Sequence, residues 1–155
     1  MASSPNRRYL TEWINDRLNT EIISVIVDTP GGDWDGGWSN DPKQVDSYYQ
    51  PYTVLVPLSS SDSDGTLADF GSMWNLPFAL TSYAVSARSL EDQTDTARRI
   101  VSETVRSDVD LGGVVWGVMD VRTSSIGGID INRSVEPSEL NQRDVVAIRI
   151  SRKGR

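Results

Sequence analysis

Three pairs of aspartates, Asp33 with Asp35, Asp62 with Asp64, and Asp108 with Asp110, come nearest to a catalytic set by residue type and spacing. Alternate carboxylates can hold a divalent ion for phosphoester hydrolysis, or divide acid and base roles in glycoside cleavage. All three pairs fall in glycine-rich or polar stretches, where alternate acids commonly serve as turn formers. Asp62-Ser63-Asp64-Gly65 also invites comparison with an EF-hand calcium loop. Setting Gly65 at that loop's invariant glycine puts Ser60 at the first ligand position and Gly71 in place of the bidentate glutamate, so the template fails twice. The chain has no histidine and no cysteine, which excludes thiolate nucleophiles, imidazole-based triads, disulfides and the usual zinc sites. No P-loop, G-x-S-x-G or G-x-G-x-x-G pattern occurs. The expectation is a protein that is not an enzyme and carries no metal and no cofactor.

Aromatic and basic residues offer other uses. Trp34 and Trp38 lie among Gly31, Gly32, Asp33, Asp35, Gly36, Gly37, Asn40 and Asp41, with Tyr48 and Tyr49 following. No periodicity survives from Pro30 to Gln50, so a long loop is expected there, and loops beyond about 12–15 residues are usually functional or disordered. Two tryptophans carry too much apolar area for plain disorder. They can fold back on their own domain, meet a neighbouring subunit, or form a stacking platform for sugars. The 22 acidic and 15 basic residues give a net charge of -7, which repels phosphate and argues against sequence-specific DNA binding, although DNA could pass such a surface. The bases gather at the C-terminus as Arg149, Arg152, Lys153 and Arg155, either a solvated tail or a dock for an acidic partner. No window approaches the roughly 20 apolar residues of a membrane span, and the N-terminus has no targeting pattern, so synthesis in the cytosol with no membrane partner is expected.

The elements that must position these groups can be read from periodicity. A chain of 155 residues fits one domain with one core. Ser4-Pro5 suits a helix start, and Tyr9, Leu10, Trp13, Ile14 and Leu18 share one helical face before Asn19 ends it. Glu21 to Asp28 reads as a strand, and Tyr52 to Pro57 as another with prolines at its margins. Ser59 to Gly65 reads as a loop. Phe78 to Ala87 alternates, with Ala79, Thr81, Tyr83, Val85 and Ala87 on one face. The small residues of the other face leave room for a helix or another chain. Ser89 with Asp92 resembles a capping box, opening a helix whose inner stripe is Leu90, Thr94, Ala97, Val101, Thr104 and Val105, with Ile100 at its edge. Asp95-Arg99 and Arg99-Glu103 stand at i,i+4 spacing, either on a solvated face or across a seam between subunits. Val114 to Val121 reads as a buried strand, Gly127 to Asn132 as a short one, and Pro137 to Gln142 as a loop or single helical turn. Asp144 to Ser151 reads as a half-buried strand with Val146, Ile148 and Ile150 inward. The sum is an α+β fold: a mixed, largely antiparallel sheet flanked by two main helices in a single domain.

Within this frame Pro51-Tyr52-x-Val54-Leu55-x-Pro57, then Gly65, then Thr81-Ser82-Tyr83-Ala84-Val85, then Asp92-Gln93 and Ala97-Arg98-Arg99-Ile100-Val101 together resemble the tail terminator proteins of long-tailed phages (siphoviruses), particularly those of actinobacteria. The resemblance covers about a third of the chain. It implies a virion structural protein at the phage neck that caps the tail tube, stops tail assembly at full length and offers a surface for head-tail connection. It also implies a homohexameric ring whose partners are the tail tube protein, a head-side connector and genomic DNA passing through the channel. The long loop 30–50 departs from simpler members. Trp34, Trp38, Tyr48, Tyr49, Asp95, Arg99, Glu103, Arg152 and Lys153 are the candidate subunit or partner contacts. Another neck or head-closure protein is the nearest rival; a carbohydrate-binding module using the Trp-Gly-Asp loop and a metal-dependent hydrolase are rivals of other classes.

Overall fold

The computed structural model describes residues 6–26, 37–38, 49–58, 61–62, 73–134 and 139–152. Helix α1 spans Arg7–Leu18 and is capped by the Asn6 side chain, which accepts from the Arg8 backbone N–H. The expected Ser4-Pro5 opening lies outside the described residues. Leu10, Ile14 and Leu18 are buried as the spacing requires, whereas Tyr9 is about half exposed and Trp13 is covered by the Arg17 guanidinium at 4.4 Å from its ring. Asn19 ends the helix as expected, and its side chain also bonds the Ser24 backbone in both directions. That stitching holds 19–22 in turns, so strand β1 begins at Ser24 and not at Glu21; it is described over Ser24–Ile26, and Val27 and Asp28 of the expected strand lie outside the described residues.

Two short strands, β2 (Gly37–Trp38) and β3 (Tyr49–Gln50), pair antiparallel inside the stretch expected to be a loop throughout. Strand β4 spans Tyr52–Pro57, as its bracketing prolines predict. It pairs parallel with β1, a geometry that requires a crossover between the two strands. Part of the expected loop at Ser59 to Gly65 is strand β5 (Ser61–Asp62), paired with the start of β6. Strand β6 runs over Met73–Ala84, beginning earlier and ending sooner than the expected Phe78 to Ala87. Pro77 falls between the residues paired with β5 and those paired with β4, and its carbonyl accepts from Leu58 N–H and from the Arg7 guanidinium.

Helix α2 spans Ala87–Ser102 and is capped by Ser86, whose hydroxyl accepts from Ser89 N–H at 3.2 Å. Ser89 is therefore inside the helix and not its cap, and Glu91 and Asp92 lie in its second turn. The inner stripe matches Leu90, Thr94, Ala97, Ile100 and Val101, and Thr104 beyond the helix is buried too; Gln93 joins the stripe and Val105 leaves it for solvent. Strand β7 (Asp108–Asp110) precedes β8 (Val115–Asn132), a single long strand where two were expected. Two irregularities in its pairing, at Val118/Asp120 and Ile126/Asp130, keep it continuous while shifting its faces. Strand β9 spans Glu139–Arg152, so Glu139 to Gln142 is strand and not a loop.

The sheet has seven strands: six follow the order β1-β4-β6-β9-β8-β7, with β5 extending the β4 side of β6. All pairings but β1 with β4 are antiparallel. The chain is an α+β domain with a mixed, largely antiparallel sheet and two main helices. Leu76, Phe78 and Leu80 of β6, and Val146, Ile148 and Ile150 of β9, form one core with Leu10, Ile14, Leu18, Ala97 and Val101 of the helices. The small Ser82 and Ala84 let α2 approach β6, as the alternation predicted.

A polar chain crosses this core. Gln93 of α2 donates to Thr53 Oγ1 of β4 at 2.9 Å, and that hydroxyl lies 2.9 Å from Ser82 Oγ of β6. Thr53→Val keeps the shape but strands the Gln93 amide and the Ser82 hydroxyl, and the expected loss is about 2 kcal/mol, read as a lowered urea midpoint with unchanged slope.

Candidate functional site

The feature that needs a functional account is the hairpin arm of β8 and β9. Beyond Val118 no strand among the described residues pairs with the outer side of β8, so its backbone groups as far as Asn132 form an open edge. Four large apolar side chains along that edge are exposed, Met119, Ile126, Ile129 and Ile131 at 53%, 50%, 44% and 49%, among polar neighbours that include Asp120, Arg122 and Asp130. Soluble proteins protect such edges with short strands, prolines or charges. A long edge with isoleucines at its far end is the pattern of a surface that another chain covers.

A buried clamp fixes the arm against α2. Arg98 donates through Nε and Nη2 to the two carboxylate oxygens of Asp144, at 2.8 Å each, and through Nη2 to Ser125 Oγ at 2.7 Å. The Asp144 side chain is only 2% exposed. Hydrogen bonding to Asp144 raises the Arg98 pKa, against the opposing effect of burial. One guanidinium thus ties α2, β9 and β8 together in a bidentate geometry that lysine cannot reproduce. Asp144 pairs with Ser125 across β8 and β9, on the inward side of the sheet.

The residues marked as contacts in the sequence are not gathered in one place. Arg99 is bonded to Glu103 at 3.0 Å and to Glu21 of the turn after α1. The expected Asp95–Arg99 pair is not formed: Asp95 lies 3.6 Å from Arg98 instead. Arg99 and Glu103 therefore tie parts of one chain together. Arg152 is exposed at the end of β9, opposite Trp116 of β8. Trp38 and Tyr49 are register partners in the β2–β3 pair. Trp34, Tyr48 and Lys153 lie outside the described residues. Of the aspartate pairs, Asp108 and Asp110 stand on exposed β7, and Asp62 sits in β5; Asp33, Asp35 and Asp64 lie outside the described residues. Among the described residues no group of three or more acidic side chains is placed to hold a metal ion. No described helix is long and apolar enough to cross a membrane.

The Glu21–Arg99 pair has a pH signature. Hydrogen bonding from Arg99 holds the Glu21 carboxyl below its ordinary range, with partial desolvation opposing and charge attraction adding to the effect. A depressed folded-state pKa contributes stability that is complete above the ordinary carboxylate range and is lost as pH falls through the folded value. Thermal midpoints of the wild type should therefore decline on the acid side more steeply than those of Glu21→Gln. Raising the salt concentration should narrow the difference, because both partners are half exposed.

Arg98 and Asp144 could not be paired from the sequence, because 46 positions separate them. One signal was present: Asp144 has the same alternation parity as Val146, Ile148 and Ile150, which places a carboxylate on the buried face. The isoleucines of the arm carried no such signal, since the Ile126/Asp130 irregularity breaks their period.

No family model matches the chain, and no curated protein matches it. Among solved structures, one chain without a functional name is similar over 96% of this chain and 91% of its own length, at 11% identity and a TM-score of 0.46. A likeness at that level says nothing about activity or partners.

Proposed function

We propose that this chain is a structural protein of a phage neck, a tail terminator. It caps the tail tube as a homohexameric ring, ends tube polymerisation and forms the tail-side surface for joining the head. The observation that carries the reading is the open β8 edge with its exposed isoleucines, a surface built to be covered by another chain. Further support comes from how the segments of the resemblance pack: Tyr52 stacks on Tyr83 at 4.8 Å, and Gln93 reaches Thr53 beside Ser82. The motif residues of β4, β6 and α2 therefore pack as one structural unit, in keeping with a role carried by shape. The acidic net charge of -7 lets DNA pass a channel without adhering. In a ring, each copy presents one patch to a different patch of the next, and closure stops sideways growth.

The test is to add the purified full chain to tail tubes polymerising in vitro. Tubes should stop elongating and carry a six-fold ring at one end in averaged electron micrographs. Continued elongation with bare ends would contradict the reading.

A further inference from the structure

The outer side of β8 is open from Met119 to Asn132 among the described residues. There β7 pairs only with Val115, Trp116 and Gly117, and the last backbone bonds on that side belong to Val118. Such an edge accepts a further strand unless charge, proline or a bulge deters it. Three charged residues stand along it, Asp120, Arg122 and Asp130, and Arg122 donates to Asp120 of its own chain at 2.9 Å. A strand added here has to match that charge pattern, and β8 of a second copy does so.

The register with β9 gives the spacing. Ser125 pairs with Asp144; Arg122 pairs with Ala147, three positions to one side, and Asp130 pairs with Asn141, three positions to the other. Val121 and Ile131 stand opposite Ile148 and Leu140, four positions out on either side, and Asp120 and Asn132 stand opposite Arg149 and Glu139, five positions out. Residues an even number of positions apart on β9 share a face, so Arg122 and Asp130 lie on the same side of the sheet. Two β8 edges laid antiparallel about a two-fold axis at Ser125 therefore set Arg122 of each copy opposite Asp130 of the other, Val121 opposite Ile131, and Asp120 opposite Asn132. The extra residues between Ile126 and Asp130 fall opposite Thr123 and interrupt the ladder there. No like charges meet. An axis at Ser124 would set Asp120 against Asp130, and one at Ile126 would leave Arg122 opposite Asn132, so opposed charges select the axis at Ser125.

We infer that the free chain pairs with a second copy of itself, edge to edge along β8, about a two-fold axis at Ser125. The contact is isologous: each interaction occurs twice, and no β8 edge remains open to a third copy. It goes beyond the ring reading and does not rest on it. In solution the pair covers the edge; on a tail tube the two edges separate before a ring can use them. A contact one strand wide is small, and small interfaces are weak and exchange readily. The pair thus shields the edge from indiscriminate strand addition and still releases it for assembly.

The test is sedimentation equilibrium of the purified full chain over a range of concentrations, where a reversible monomer–dimer equilibrium is expected. Arg122→Glu and Asp130→Arg each set like charges opposite one another twice in the pair, and each alone should dimerise about tenfold more weakly. Both positions are exposed, so both variants should fold. An equal mixture of the two should recover wild-type affinity, because each variant then meets the opposite charge at both positions. In the wild type, amides of 120–132 that do not bond β9 should exchange more slowly as dimer accumulates. A chain that is monomeric at every concentration, a dimer indifferent to both substitutions, or weakening without rescue in the mixture would overturn the pairing. Rings on tail tubes from a chain that stays monomeric in solution would overturn the pairing alone, and dimers that give no rings on tubes would overturn the ring reading alone.

Discussion

Asp144→Ala is expected to lower the unfolding free energy by about 3 kcal/mol, at the lower end of the range for breaking a buried ion pair because Arg98 is one-third exposed. The cost comes from what is left behind. Without the carboxylate, the Arg98 guanidinium keeps only Ser125 Oγ and the distant Asp95 as partners, at the seam of α2 and the sheet. Asp144→Asn tests the charge separately from the shape: one amide oxygen can still accept from Arg98, so a smaller loss is expected. Asp95→Ala serves as the control, since its carboxylate is 73% exposed and surface pairs contribute about 0–1 kcal/mol. Urea unfolding with unchanged slope reads these differences directly. Equal losses for Asp95→Ala and Asp144→Ala would mean that the clamp contributes nothing beyond a surface pair.

A second variant separates folding from assembly. Ile126, Ile129 and Ile131 are each about half exposed and lie outside the core cluster, so replacing all three with serine gives up the half already buried, about 1 kcal/mol per site. Covering each by another chain would bury the remaining half of a side chain, worth about 1 kcal/mol. Losing three such contributions weakens a contact by about a hundredfold. The expected result is a chain that still unfolds cooperatively, at a lower urea midpoint, and no longer forms rings on tail tubes. Retained ring assembly would show that the arm is not part of a subunit contact. Variants at Thr123 or Ser124, nearer the middle of the strand, should leave assembly close to normal if the isoleucines carry the contact.

Local signals made part of this molecule legible. Strand β4 was readable because prolines bracket a β-branched run, and α2 because its apolar stripe keeps helical spacing over four turns. The start of α2 was misplaced because Ser86 and Ser89 both suit a cap, and only the sheet geometry decides that β6 ends at Ala84. The expected strand starts at Phe78, one residue after Pro77, which cannot donate to a ladder, whereas the structure places Pro77 in a gap between two partners. Strand β8 was split because Ser124, Ser125, Gly127 and Gly128 interrupt the apolar pattern. Long-range pairing with β9 keeps it whole, and Gly127 takes a positive φ of 69° within the irregularity. The clamp was hidden for the same reason: hydrogen bonds between α2 and β9 depend on how the sheet folds over, which no local window contains.

The candidate contact residues lie in different parts of the fold. Arg99 and Glu103 pair within their own chain, while Arg152 remains exposed at an end of the sheet, where a neighbour can meet it. The exposed isoleucines emerged only from the tertiary structure.

Tail length in particles assembled without this protein is the most direct measurement of the central claim. Electron micrographs should show tails longer than normal and not joined to heads, because nothing seals the end of the tube. Tails of normal length attached to capsids would contradict the account, and normal tails beside leaking heads would place the chain at the head-closure step instead.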